Sequence, residues 1–359
     1  MRKLGYIAIP LGLICGGVSM APLSEREVSS SKEEVRDLRY VSNHLSSIDD
    51  IPREFHFGDQ LVPVHEEGVR YKLKRQLNRF SKYTYGNKLI ARRLGRYEET
   101  FRSILREMGV PEDFVYLAIT ESNLSNAVSP VGACGFWQFM PATARQYGLE
   151  VSSTVDERYH PEKATYAAAQ YLTDAYEEFE DWFLVAAAYN MGPGGVSRAL
   201  RRQEDCSYFE LDLNKETGQY VYKILAYKII FNSPLRYGHS VSAERLYQPI
   251  AYRPVVVDKN IRNLSKFAAQ HGTDLPTLKK LNPWLVSHSL YVKKGKTYEI
   301  RIPLDENLRM DELAVDDYRP SVTKAIEDKV DTLSTVESLV QDAETPAPPK
   351  AAQDSTKQV

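Results

Sequence analysis

Apolar residues recur at three- and four-residue intervals through the first two-thirds of the chain, a period that predicts helices. Over 66–108, basic and amphipathic, Leu73, Leu77 and Phe80 mark one helix, and a second is expected at about 87–109. The cluster Arg92, Arg93 and Arg96 on the second reads as a solvated helix face, with a surface for an anionic glycan as the alternative. Residues 111–121 follow as a helix with Pro111 at its first position and Glu112 and Asp113 in its first turn. A short helix over 141–147 should end at Gly148. Ala164, Ala167, Ala168, Leu172, Ala175 and Phe179 hold helical spacing, and their small side chains predict the central core helix. Trp182, Val185, Ala186 and Tyr189 form the next stripe, which Gly192, Gly194 and Gly195 should stop. A further helix is expected over about 214–232, with Val221, Ile224 and Leu225 inward.

After Tyr237 the period changes. Residues 250–257 read as a strand, Leu264, Phe267 and Ala268 as a helix, and Leu275, Leu278 and Leu281 as another. Asn282-Pro283 makes a turn, and 298–303 closes as a strand. The fold class is therefore mainly α, followed by a small α+β module. The expected organisation is a leader over 1–19, an irregular polar segment over 20–65, a helical domain over 66–238, a β-α-α-β module over 250–304, and a disordered acidic and polar tail over 306–359.

One carboxylate stands out in this pattern. Phe114, Leu117, Ala118 and Glu121 fall at i, i+3, i+4 and i+7, so Glu121 sits on an apolar stripe. Desolvating a carboxylate is costly, and burial raises its pKa. A Glu with a pKa of about 4.3 is roughly 0.2% protonated at pH 7, against roughly 10% at a pKa of about 6. Burial would thus raise the population of working acid about 50-fold. Taken alone, a Glu at a helix end is more often a cap or an ion-pair partner.

The following residues change that balance. Glu121-Ser122, Gly135-Phe136-Trp137-Gln138, Ala188-Tyr189-Asn190 and Glu216-Thr217 through Tyr220-Val221 occur in this order. Together they resemble the four motifs of the family 1 lytic transglycosylases, with Phe136 where the family has Leu. Order and spacing are similar to the membrane-bound lytic murein transglycosylase D branch. The resemblance covers about 95–238 and implies a goose-type lysozyme-like fold. It also implies cleavage of the β-1,4 bond between N-acetylmuramic acid and N-acetylglucosamine in peptidoglycan. Glu121 would protonate the leaving oxygen and then, ionised, take the proton of the muramoyl C6 hydroxyl, giving a 1,6-anhydro end without water. Ser122, Gly135, Gln138, Tyr189, Asn190 and Tyr220 are implied as substrate-binding residues. Gly135 would let the backbone approach closely, and Gln138 would offer a donor and an acceptor to sugar hydroxyls. Tyr189 and Asn190 would orient the acetamido group. For Ser122 a bond to backbone is an equal alternative, Trp137 reads as a packing wall, and Glu216 as structural. The 250–304 module looks like a degenerate LysM module, with Leu281-Asn282-Pro283 at its usual place. Such modules bind N-acetylglucosamine chains; a packing domain supporting the core is the other reading.

Most glycosidases use two carboxylates. None lies near Glu121 in the motif cluster; the next are Glu150, Asp156 and Glu157, among polar and turn residues. Two rival readings stay open: a hydrolytic lysozyme-type muramidase on the same fold, and a non-catalytic peptidoglycan-binding protein.

Composition narrows the partners. A net charge of −2 over 359 residues gives no sign of nucleic-acid binding. The seven His are scattered and metal-binding spacings are absent, so neither a metal nor a cofactor is expected. Met1-Arg2-Lys3, an apolar run to Cys15 and the small residues to Ser19 read as an export leader, too short to span a bilayer. The expected location is the periplasm or cell envelope, with outer-membrane association open. Lipidation of Cys15 is the minority alternative, because Ile14 precedes it. Cys134 and Cys206 are expected as free thiols, with a disulfide permitted by an oxidising compartment.

Overall fold

The computed structural model describes residues 51–204, 207–239 and 241–304. The leader, Cys15, residues 20–50, Cys206 and the tail over 306–359 lie outside the described residues. Residues 51–65 were expected to be irregular, but they carry a two-stranded antiparallel ribbon, β1 His56–Phe57 and β2 Gln60–Leu61. Phe57, Val62 and Val64 enter the main core, and the Phe57 ring packs on Phe114 and Phe183. Asp113 ties the ribbon down. It accepts from the Gly58 amide at 2.7 Å and pairs with Lys228 at 2.5 Å.

Helices α1 Glu67–Ser81 and α2 Thr84–Glu107 agree with the amphipathic pattern. The next expected helix divides. Glu112–Phe114 forms a 3₁₀ turn with Pro111 before it, and α3 begins only at Val115 and ends at Ser122. Then come α4 Pro141–Gln146, α5 Pro161–Phe179, α6 Trp182–Met191, α7 Pro193–Arg202 and α8 Thr217–Asn232. The central helix is α6 rather than α5. Trp182 through Ala188 are all buried, whereas Lys163, Tyr166, Gln170 and Asp174 leave α5 an exposed face. Asp181 starts α6 by accepting the amides of Phe183 and Leu184, at 2.7 and 2.9 Å. Gly192 ends it, but Pro193-Gly194-Gly195 are the first turn of α7, where Pro suits the first position. α6 packs on α5, α7 and α8, and α3 lies against α8.

The arginines of α2 do not form a solvated face. Arg93 is fully buried and donates to the Asn123 carbonyl at 2.9 Å, fixing the residue that caps α3. Arg92 and Arg96 hold the connecting segment instead. Their Nε atoms donate to the carbonyls of Arg245 and Gln248, both at 3.0 Å, and both guanidinium groups lie over the Tyr247 ring.

Beyond that segment, β3 Tyr252–Val257, α9 Leu264–Gln270, α10 Leu275–Leu281 and β4 Tyr298–Pro303 give the β-α-α-β order. The strands pair antiparallel, Tyr252 opposite Pro303 and Val257 opposite Tyr298. Asn282 is fully buried and sews α10 to β4. Its amide donates to the carbonyls of Leu278 and Arg301, at 2.8 and 2.7 Å, and its Oδ1 accepts the Arg301 amide at 2.8 Å. The module is joined to the helical domain along a continuous seam. Val155 belongs to the module's core, the Asp156 amide donates to the Trp284 carbonyl at 2.9 Å, and Lys293 and Lys296 pair with Glu150 at 3.0 and 2.9 Å.

Candidate functional site

Three helix ends converge on Glu121. α3 ends one residue beyond it, and Asn123 and Leu124 are both left-handed, at φ 52° and 55°. A fully buried Leu in that conformation is strained, and such strain gathers where the chain must turn sharply at a site. α6 delivers Tyr189 and Asn190 on its last turn, and α8 delivers Tyr220 on its first. The Tyr220 hydroxyl donates to Glu121 Oε1. Asn214 caps α8, accepting the amides of Glu216 and Thr217 at 3.0 Å each. Thr217 Oγ1 donates to Asn190 Oδ1 at 2.7 Å, so α6 and α8 are locked side by side.

Glu121 keeps part of its surface accessible, yet its carboxyl is desolvated. Burial pushes its pKa from 4.5 up to about 7, against the Tyr220 hydrogen bond and the charge of Lys223, which pull it down. The charge of Glu216 adds a smaller push upward. The acid is thus half-protonated near neutrality, able both to give and to take a proton. Tyr189 and Tyr220 are pushed well above the ordinary tyrosine range, first by burial and then by the charge of Glu121, so both stay neutral.

Glu121, Tyr189 and Tyr220 come together, with Asn190 tied to α8 beside them. Other roles expected from the sequence change. Ser122 is buried and its hydroxyl is committed to backbone, donating toward Phe136 O at 2.8 Å and Ala118 O at 3.1 Å; it reaches neither Glu121 nor the cleft. Gly135 does allow a close approach, but to protein: a Cβ there would lie 2.0 Å from the Arg158 carbonyl oxygen. Gln138, left-handed at φ 48°, spends its amide on the carbonyls of Ala127 and Gly135, at 3.0 and 2.8 Å. Only its Oε1 is left to face a ligand. The Tyr189 hydroxyl donates to the Trp137 carbonyl at 2.8 Å, which leaves its oxygen as an acceptor. Tyr220 holds Glu121 rather than pointing outward. Trp137 is a packing wall, fully buried, with Nε1 donating to Thr165 at 2.9 Å. Glu216 is exposed and accepts from Asn190 Nδ2 at 3.3 Å.

Sequence reasoning missed Arg158. This buried guanidinium donates to the carbonyls of Gly132 and Phe139, at 2.9 and 3.0 Å, and grips Asp156 through two bonds of 2.9 and 2.7 Å. Together with the contact at Gly135 it shapes the whole 132–139 loop that carries Gln138. The signal in the sequence was indirect: Gly135, whose close approach turns out to be to Arg158, and an Asp-x-Arg spacing.

The helical domain thus brings a desolvated Glu at the end of its third helix against a Tyr-Asn helix end. Residues 99–211 match the family model of the transglycosylase SLT domain, and residues 253–306 match the soluble lytic transglycosylase C-terminal LysM-like domain. Each match covers less than half of the chain. Membrane-bound lytic murein transglycosylase D of Escherichia coli (strain K12) is 36% identical over 140 residues, 37% of this chain and 31% of that protein. The soluble lytic murein transglycosylase of the same strain is 28% identical over 142 residues, 36% of this chain and 22% of the relative. The crystal structure of the 70 kDa soluble lytic transglycosylase of Escherichia coli aligns at 19% identity over 62% of this chain and 37% of that one, with a TM-score of 0.33. The match to the D-type relative spans less than a third of that protein's length.

Proposed function

We propose that the protein is a peptidoglycan lytic transglycosylase that cleaves the bond between N-acetylmuramic acid and N-acetylglucosamine without water. The observation that carries this is Glu121, one carboxyl desolvated to a pKa of about 7 and held by Tyr220. Protonated Glu121 gives its proton to the glycosidic oxygen as the bond breaks. The substrate's own acetamido group stabilises the cationic sugar carbon. Glu121, now ionised, takes the proton of the C6 hydroxyl as that oxygen attacks, and the 1,6-anhydro ring closes with the acid restored. Attack within one sugar has a high effective molarity, which removes the need for a bound water. Tyr220 positions Glu121. Tyr189 Oη, Asn190 and Gln138 Oε1 offer polar atoms to the sugar.

The hydrolytic alternative needs a second carboxylate placed to activate water. Glu216 is the acidic residue whose charge Glu121 feels, and it is occupied by Asn190. A non-catalytic role would leave the raised pKa and the convergent polar groups without use. The domain plan in this reading is a leader over 1–19, a transglycosylase domain over 66–238 joined by the 51–65 ribbon, and a LysM-like module over 250–304. The leader implies export to the periplasm or envelope, and no described helix is long and apolar enough to cross a membrane. Digestion of purified sacculi followed by mass spectrometry tests the chemistry. Anhydro ends, one water lighter than reducing ends, are expected; reducing ends alone would establish hydrolysis instead.

A further inference from the structure

Of Glu121, Gln138, Tyr189, Asn190 and Tyr220, Gln138 alone is carried by a loop rather than a helix. Its backbone is left-handed at φ 48°, a conformation that a residue other than Gly keeps only where its surroundings over-determine it. Part of that hold is local. The Gln138 amide N–H reaches the Gly135 carbonyl at 3.2 Å, and Cys134 N–H reaches the Phe139 carbonyl at 3.1 Å. The rest comes from Arg158. One of its terminal nitrogens, Nη1, donates to the carbonyls of Gly132 and Phe139, which bracket 133–138, at 2.9 and 3.0 Å. Phe139 follows Gln138, so the guanidinium fixes the peptide next to it. Nε and Nη2 meanwhile grip Asp156 at 2.9 and 2.7 Å. Only a planar fork can serve two carbonyls on one side and a carboxylate on the other; an ammonium cannot.

The segment that carries Asp156 and Arg158 takes its own place from the C-terminal module. Thr154 O accepts the Val286 amide at 3.2 Å, the Asp156 amide donates to Trp284 O at 2.9 Å, and Val155 between them bridges to Leu285 inside the module's core. A second tie runs through Glu157. Its amide donates to Glu150 O at 2.8 Å, and its Oε2 accepts the Glu150 amide at 2.7 Å. The Glu150 carboxylate is held by Lys293, Lys296 and Tyr298 of the module. We propose that Arg158 is a positioning residue for Gln138, and that the module sets Arg158 through the 150–156 segment, so that docking of the module governs turnover as well as stability. The role of Gln138 in the cleft rests on the proposed function; the hold on its loop does not.

Two measurements on the full chain test this. The first is hydrogen exchange read peptide by peptide. Arg158→Lys should speed exchange over 127–140. The double variant Lys293→Gln, Lys296→Gln changes only two half-exposed side chains, so it keeps the fold, and it should speed exchange over both 150–158 and 127–140. The second is a double-mutant cycle on sacculus turnover, with thermal midpoints measured throughout. Arg158→Lys should lower turnover roughly 10- to 100-fold, the scale for a misplaced site group. Gln138→Asn withdraws the polar head while tolerating the left-handed backbone. In that background Arg158→Lys should change turnover by no more than about twofold, because the group it positions is already displaced. A residue that only stabilises the fold would lower turnover by the same factor in both backgrounds. Equal factors, or exchange over 127–140 that is unchanged in either variant, would overturn the proposal. Anhydro products from wild type with unchanged exchange sink only this inference; faster exchange in both variants with no cleavage by wild type sinks only the transglycosylase reading.

Discussion

Replacing Glu121 with Gln should abolish activity while making the folded protein more stable at neutral and alkaline pH. The stability part follows from the direction of the pKa change. Below about pH 4.5 the carboxyl is protonated in both folded and unfolded chains, and burial carries no penalty for charge. Between about 4.5 and 7 the unfolded chain releases the proton while the folded one retains it, so stability falls as pH rises. Above about 7 the folded state must hold a buried carboxylate, and the penalty is complete. A displacement from 4.5 to about 7, at about 1.4 kcal/mol per pH unit, amounts to on the order of 3 kcal/mol. Partial access of solvent to the residue reduces this to about 1–3 kcal/mol. Gln keeps an oxygen for the Tyr220 hydroxyl and never ionises, so it escapes the penalty. Thermal midpoints of the two proteins should coincide near pH 4 and diverge by several degrees at pH 8, with the mutant higher. Turnover of sacculi should fall by about 10⁴-fold, the upper end for removing general acid–base catalysis, because one residue serves both proton transfers. Midpoints that differ by the same amount at every pH would mean the carboxyl is not desolvated. Activity within about tenfold of wild type in a folded mutant would mean another group carries the proton.

Tyr220→Phe removes the hydrogen bond that holds the Glu121 pKa down, so the alkaline limb of the pH–rate profile should move to higher pH, with activity reduced about tenfold; an unmoved limb would show that the hydroxyl does not act on Glu121. Gly135→Ala places a Cβ 2.0 Å from the Arg158 carbonyl at φ +81° and should cost at least about 2–3 kcal/mol, read as a lower denaturation midpoint; a stability equal to wild type would refute the close approach. At Glu150, burial opposes ionisation but hydrogen bonds from Lys296, Lys293 and Tyr298 hold the pKa down to about 2, so the stability it supplies is present above about pH 4.5 and lost as pH falls toward 2. Glu150→Gln should therefore destabilise by roughly 1–2 kcal/mol at pH 7, allowing for the half-exposed lysines, and the difference from wild type should close in acid; a constant difference would assign the effect to packing.

Residues whose job is set by local pattern were legible, and residues whose job depends on where a partner folds were not. The helices α1, α2, α5, α6 and α8 follow from spacing, and so does the β-α-α-β order of the module, because each buries one stripe or face that the sequence displays. Glu121 was legible for the same reason: a lone acid on an apolar stripe is a conflict visible without any partner. Gln138 and Ser122 were open in the sequence because their polar atoms can serve sugar or backbone equally well; Ser122 and the Gln138 amide nitrogen went to backbone. The choice was made by spare acceptor capacity at the carbonyls of Ala127, Gly135 and Phe136, in a loop whose course no periodicity predicts. The same holds for the α2 arginines. Their charge suggested solvent or glycan, while the fold brought them to Asn123, Arg245 and Gln248, all through backbone carbonyls. Backbone acceptors are anonymous in a sequence, so a cation that binds them cannot be distinguished there from one that binds water.

That anonymity also hid the connection between the module and the site. Arg158 shapes the Gln138 loop, Asp156 holds Arg158, and the Asp156 amide is held in turn by the Trp284 carbonyl of the module. Each link joins residues far apart in the chain or unremarkable in type. Val155 between them is buried in the module's own core, so the segment from 155 to 158 belongs to both domains at once. A module attached in this way supports the loop beside Glu121 whatever it binds. Of the two readings of the module, packing support is the one this seam supplies.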